Sequence, residues 1–148
     1  MQKISVINGP NLNMLGKREP EIYGSQTLAD IEEMCQKEAT GIGFAVDFWQ
    51  SNDEGAIVTY IQNLLQSDTS ALIINAAAYT HTSIAIADAL SMLDFPVLEV
   101  HLSNIYERES FRHHSYISPI AKGIICGYGA NGYVLALHAA KNLLEKKS

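Results

Sequence analysis

The segment Glu99-Val100-His101-Leu102-Ser103 sets a carboxylate, an imidazole and a hydroxyl at alternate positions. In a strand, the two-residue period turns all three to the same side. A carboxylate beside an imidazole orients the ring and favours its protonated form, the combination a general acid needs. A core histidine with satisfied hydrogen bonds fits the same residues, but a position at the end of a strand favours the functional reading. A second group is Asn75-Ala76-Ala77-Ala78-Tyr79-Thr80-His81-Thr82-Ser83. Its small residues let backbone approach a ligand, Asn75 offers both donor and acceptor, and His81 stands beside a helix amino terminus whose amides favour an anion. A helix cap with polar neighbours is the other reading.

Near the amino terminus, Asn8-Gly9-Pro10-Asn11-Leu12-Asn13 leads into Gly16-Lys17-Arg18-Glu19-Pro20-Glu21-Ile22-Tyr23-Gly24, a path set by glycine and proline. Arg18 and Tyr23 stand on a segment able to close over a ligand. A phenol ionises near pH 10, so its use as a base near neutrality takes about 4 kcal/mol. An adjacent guanidinium in a dry site supplies that much. A packing tyrosine is the alternative. Further on, the fork of Arg112 suits a carboxylate or hydroxyls, with Arg108 close by in sequence. His113-His114 invites a metal, but no compatible third ligand lies nearby, so no metal is expected.

These residues need a frame that brings them together, and the chain alternates the elements of one. Short runs rich in Val and Ile read as strands at Ile4 to Ile7, Ala45 to Phe48, Ala71 to Ile74, Val97 to Val100 and Gly123 to Cys126. Having little alternation, they suit strands buried on both faces. Helical patterns fill the gaps: one capped by Thr27 with Asp30 three residues later and stopping at Gly41, then Glu54 to Gln66, Ser83 to Leu93 and Gly132 to Lys146. Lys146 and Lys147 carry the sign that a helix carboxyl end favours. The expectation is a single α/β domain over 1–148: a doubly wound, five-stranded parallel sheet in the flavodoxin-like order 2-1-3-4-5. Ligands then bind beyond the carboxyl ends of the strands. The loops after strand 1 (Gly9 to about Gln26) and strand 4 (about Leu102 to Ala121) are long enough to serve as binding loops. Gly127-Tyr128-Gly129-Ala130-Asn131-Gly132 matches GxGxxG, yet it follows the last strand, with no later strand to bring an acidic ribose partner; a tight turn is expected, not a dinucleotide site.

Ser83 to Leu90 is apolar nearly all round, so this helix is expected to be covered on both sides, by the sheet and by a neighbouring subunit. Asp88 on that helix then wants a partner; a rim carboxylate in solvent is the other reading.

Composition narrows the classes. Of the 148 residues 47% are hydrophobic and 18% charged, which is globular rather than disordered. Ten Lys+Arg against sixteen Asp+Glu give a formal charge of −6, against nucleic acid as a partner. No apolar run reaches the roughly 18–20 residues that span a bilayer, and Met1-Gln2-Lys3 runs into a strand-like segment rather than a signal peptide. Cys35 and Cys126 lie in apolar stretches and are expected as buried free thiols in a reducing compartment, hence a cytoplasmic protein.

NGPNLNMLGKREPEIYG, NAAAYTHTS, EVHLSNIYERESFRHHSY and GIICGYGANGY, in this order, resemble the type II 3-dehydroquinate dehydratases (type II dehydroquinases) of the shikimate and quinate pathways over essentially the whole chain. The resemblance implies a flavodoxin-like enzyme, assembled as a homododecamer (a tetramer of trimers). It implies anti elimination of water from 3-dehydroquinate, through an enolate, to 3-dehydroshikimate, with no cofactor. By the same resemblance Tyr23 is the base kept ionised by Arg18, Asn11 positions a water on the enolate oxygen, and His101, oriented by Glu99, is the acid. Asn75, His81 and Arg112 then bind ring hydroxyls, Leu102 and Ser103 bind the carboxylate, and Asp88 reaches the adjacent subunit's site. Tyr106 and Tyr128 depart from the common pattern without touching an assigned role.

Other functions fit this fold, since a fold does not fix function. The alternative is a non-catalytic ligand-binding or signalling module. A phospho-receiver needs acidic residues where Asn8 and Asn75 stand, and a flavin site needs hydroxyls where Gly-Pro-Asn-Leu-Asn stands. A Ser-His hydrolase built on Ser103 lacks the strand-turn-helix elbow.

Overall fold

Runs of Ile, Val and Leu too short for a helix become strands here, and capped amphipathic runs become the crossovers between them. The computed structural model describes residues 1–17, 21 and 25–146. In chain order come β1 (Gln2–Asn8), α1 (Leu28–Gly41), β2 (Phe44–Gln50), α2 (Glu54–Leu64), β3 (Thr69–Asn75), α3 (Ile84–Leu90), β4 (Val97–His101), β5 (Gly123–Cys126) and α4 (Asn131–Glu145). All strand pairs are parallel, and the order is β2-β1-β3-β4-β5, as expected.

Local chemistry sets the boundaries. The Thr27 hydroxyl accepts from the Asp30 N–H at 3.1 Å while the Asp30 carboxylate accepts from the Thr27 N–H at 3.0 Å, a complete capping box for α1. Asp53 caps α2 and Ser83 caps α3 through their side chains. Two helices end earlier than their apolar pattern suggests: α2 stops at Leu64 and α3 at Leu90, each followed by a tighter turn closed by i→i+3 hydrogen bonds. Lys147 lies outside the described residues.

The two-residue alternation of the strands sorts the core into two layers. Ile4 and Val6, Ala71 and Ile73, and Leu98 and Val100 face α1 and α4, against Ile31, Cys35, Tyr133 and Leu137. Ile7, Leu72, Ile74 and Val97 face the other way, against Ile57 and Ile61 of α2 and Ile86 and Leu90 of α3. Double-sided burial holds for the central strands β1, β3 and β4. It fails for β2 and β5, whose residues are mostly half-buried because each strand lies at an edge of the sheet. Cys126 shares that edge and is only partly buried, against expectation. Cys35 is buried, and burial, with Glu32 adding to it, pushes its thiol up to about 12. Within the single chain α3 is covered on one side only: Ile86, Ala89 and Leu90 are buried, while Ile84, Ala85 and Asp88 are exposed. No helix of the described residues is long and apolar enough to cross a membrane.

At the strand ends β1 and β3 come close. The Gly9 N–H donates to the Asn75 carbonyl at 2.8 Å, and a Cβ on Gly9 would sit 2.4 Å from the backbone oxygen of Ala76. Nothing there can give without moving β3. Gly9→Ala is therefore expected to cost about 1–3 kcal/mol, or about 2–12 °C in Tm. Gly41→Ala, where a Cβ meets nothing within 4 Å, is expected to be neutral or stabilising. Thermal melts of the two variants check the contrast.

Candidate active site

Beyond the carboxyl ends of β3 and β4 a cavity opens, walled by the turn after β1, the turn after β3 and the loop after β4. Asn11, Asn75, His81, His101, Leu102, Ser103 and Arg112 all line it, together with Arg108, to which no role fell from the sequence. Apolar contact comes from Pro10, Leu12, Leu15 and Ile105. Residues singled out on spacing and residues named by resemblance are thus brought together from three separate stretches of chain. Asp88 is not among the lining residues and sits on the exposed side of α3. Arg18 and Tyr23 lie outside the described residues.

At the base of the cavity lies the Glu99–His101 pair. Adjacent same-side positions on β4 set the carboxylate Oε2 2.6 Å from the His101 Nε2. Glu99 has no exposed surface. Two hydroxyls reach it from the loop after β4: Ser115 donates to Oε2 at 2.9 Å and Ser118 to Oε1 at 2.5 Å. The direction of the Ser115 bond is forced, because its oxygen already accepts from the backbone N–H groups of Ile117 and Ser118. Burial opposes ionisation of Glu99, yet the bonds from His101, Ser118 and Ser115 outweigh it and hold the carboxyl below its ordinary range. An ionised carboxylate only accepts, so the proton between the pair stays on Nε2 and Nδ1 is the nitrogen left for a ligand.

His81 is the complementary imidazole. Its Nδ1 lies 2.8 Å from the His114 carbonyl, which can only accept, so Nδ1 carries the hydrogen and Nε2 is left free. Burial lowers its pKa, outweighing that carbonyl bond, and the ring is neutral near pH 7. The two imidazoles stack with centroids 6.2 Å apart. Arg112, expected to hold a ligand, carries an internal bond from its Nε to Glu109 Oε1 at 2.9 Å while still lining the cavity.

Backbone geometry completes the rim. Asn11 at φ 70° and Ala77 at φ 52° both occupy left-handed backbone, costing about 1–3 kcal/mol each in general. The Asn52 side chain accepts from the Asn11 N–H at 2.9 Å, and the Asn75 side chain accepts from the Ala77 N–H at 3.1 Å, so each is held by an asparagine oxygen. The GxGxxG stretch is a turn, as expected. Gly127 and Gly129 have positive φ, and their N–H groups donate to the carbonyls of His101 at 3.4 Å and Leu102 at 2.9 Å, bracing the end of β4.

Sequence reasoning missed Ser115 and Ser118. Serines in a loop carry no periodic signal, and only an expected buried carboxylate at Glu99 would have sent a search for its donors.

Fold and site together define a class: an open, parallel α/β protein with a carboxylate–imidazole pair at a polar strand-end cavity. The chain belongs to the class II dehydroquinase family, whose model, described as Dehydroquinase class II, matches residues 2–141. A 3-dehydroquinate dehydratase of Rhizobium meliloti is 59% identical over 143 residues, covering 97% of this chain and 96% of that protein. One of Actinobacillus pleuropneumoniae is 55% identical, covering 99% and 94%. Among solved structures, a type II dehydroquinase from Butyrivibrio crossotus superposes with a TM-score of 0.93 at 43% identity, covering 95% of this chain and 97% of that one.

The Ser118–Glu99 bond yields a test. Ser118→Ala removes one donor from a buried charge and is expected to cost about 1.5–3 kcal/mol at pH 7. A carboxyl whose folded pKa is depressed adds stability above its unfolded pKa and loses it as pH falls through the folded value. The cost of Ser118→Ala should therefore shrink as pH drops below the ordinary carboxylate range, as read from denaturant midpoints at a series of pH values.

Proposed function

We propose that this enzyme is a 3-dehydroquinate dehydratase that removes water from 3-dehydroquinate in an anti sense, through an enolate, to give 3-dehydroshikimate in the shikimate pathway. The observation that carries the reading is the Glu99–His101 dyad at a strand-end cavity in a chain of the class II dehydroquinase family.

In this reading Tyr23, kept ionised by Arg18, takes the C2 proton of the substrate. The resulting enolate oxygen is met by a water held by Asn11. His101 gives the proton on Nδ1 to the departing hydroxyl, which leaves as water, while Glu99 holds the ring by Nε2. One proton is taken up and one is given, so exchange with solvent resets the site. Asn75, His81 and Arg112 bind ring hydroxyls. Each has a group suited to this: a spare N–H on Asn75, the free Nε2 of His81, and the remaining guanidinium donors of Arg112. Leu102 and Ser103, at the braced end of β4, take the substrate carboxylate. No organic cofactor or metal has a part in these steps.

The reading extends to the assembly. Ile84, Ala85 and Asp88 form an exposed face on an otherwise apolar helix, a face suited to cover by another copy of the chain. A homododecamer arranged as a tetramer of trimers would place Asp88 toward a neighbouring site. The free cysteines support a cytoplasmic setting.

Turnover is followed by the ultraviolet band of the conjugated enone product, with and without chelator and borohydride. Activity surviving both is expected; loss to borohydride would point to a lysine imine and remove the tyrosine mechanism. Tyr23→Phe is expected to abolish turnover while the assembly and ligand affinity stay largely intact, and normal activity in that variant would overturn the base assignment. Asp88→Ala should weaken the oligomer or turnover, measured by light scattering and rate together; an unchanged dodecamer with full activity would refute the cross-subunit role.

A further inference from the structure

Tyr133 has no place in the chemistry above, yet among the described residues it is the largest side chain with no exposure at all. It projects from α4 into the layer formed by Ala136, Leu137 and Ala140 and the strand residues they cover. A hydroxyl in such surroundings is costly unless it is bonded. Burial raises its pKa even though the bond from Asn75 pulls the other way, so the phenol keeps its proton.

Its bonds form a chain whose direction is forced from both ends. The Asn8 Nδ2 donates to the Trp49 carbonyl at 3.1 Å, and a carbonyl only accepts. Asn8 therefore turns Oδ1 to the phenol and accepts its proton at 2.6 Å. The phenol oxygen is left as an acceptor, and it takes one N–H from the Asn75 amide at 3.0 Å. At the far end the Ala77 N–H, which only donates, takes the Asn75 Oδ1 at 3.1 Å. Asn8 and Asn75 are direct neighbours in the β1–β3 register. Asn75 lines the cavity, whereas Tyr133 and Asn8 do not. What Asn75 still has to offer there is its second Nδ2–H.

We propose that Tyr133 is a positioning residue: held by Asn8, it anchors the Asn75 amide at a second point, so that the cavity is presented with an N–H donor and the substrate group received there is an acceptor oxygen. The inference rests on the reading of Asn75 as a substrate contact. It gives the Tyr133 hydroxyl a part in the site that a phenylalanine of similar volume could not play.

The test is a double-mutant cycle in steady-state kinetics with 3-dehydroquinate, on wild type, Tyr133→Phe, Asn75→Ala and the double variant, with thermal melts and near-ultraviolet circular dichroism on each. Tyr133→Phe is expected to raise KM about five- to tenfold, the loss of roughly one neutral hydrogen bond, with kcat nearly unchanged. In the Asn75→Ala background the same change should raise KM no further. Asn8→Ala, which removes the acceptor of the phenol proton, should reproduce the KM rise and carries the test if Tyr133→Phe does not fold. A merely structural Tyr133 would lower Tm and the active fraction at unchanged KM. Unchanged KM in Tyr133→Phe, or in Asn8→Ala where that variant carries the test, overturns the proposal when Asn75→Ala itself raises KM; so do effects that multiply in the double variant. If Asn75→Ala leaves KM unchanged, the substrate contact itself is wrong and the proposal falls with it.

Discussion

The architecture of the site depends on one constraint: a carboxylate with no exposed surface must be met by donors. Glu99 sits within a central strand, where β3 and β5 pair on either side, and its oxygens look into the layer under α2 and α3. Desolvation of a lone charge there would be prohibitive. The donors come from two directions. His101 is supplied by the same strand, and Ser115 and Ser118 by the loop after β4. Satisfying Glu99 therefore tethers the far part of that loop, and the loop in turn sets Ile105, Arg108 and Arg112 over the cavity. The tether and the orientation of the imidazole are one set of bonds.

The other half of the site is built on the opposite face of the sheet. Period-two alternation sends Asn8 and Asn75 toward α4, in line with the apolar residues Val6 and Ile73, while Glu99 points the other way. The cavity forms where the two polar clusters come level at the strand ends. One cluster is charged and fixed by a carboxylate; the other is neutral and fixed by backbone groups at its two ends. Two imidazoles held through different ring nitrogens result from the same logic: His101 donates Nε2–H to a carboxylate, and His81 donates Nδ1–H to a carbonyl. The nitrogens left for a ligand are thus Nδ1 of His101 and Nε2 of His81.

Close backbone approach links the two halves. The 2.4 Å that would separate a Gly9 Cβ from the Ala76 oxygen shows how tightly the turns after β1 and β3 are pressed together. The turn at Ala77 lies in the left-handed region and persists because the Asn75 oxygen holds its N–H. Strain of this kind is tolerated where surrounding bonds over-determine it. Here those bonds belong to the same asparagine that faces the cavity.

Much of this was legible in the linear chain. Short Val- and Ile-rich runs between capped helical patterns determined the elements and the parallel order, because each is a local choice of period and cap. The Glu99–His101 pair was legible for the same reason, its two residues being two apart on one strand. What lay beyond reach were contacts between residues far apart in the chain. Ser115 and Ser118 find Glu99 across 16 and 19 positions, Tyr133 finds Asn75 across 58 and Asn8 across 125, and no local pattern marks any of them. The half-burial of β2 and β5 is a property of sheet edges and not of their residues, which read like the central strands. The sequence by itself determined the elements, their order and which strand ends present a cluster of polar side chains. Only the tertiary structure decided which protons sit where, because a hydrogen's position is settled by the partner that closes the bond, and those partners come from elsewhere in the chain.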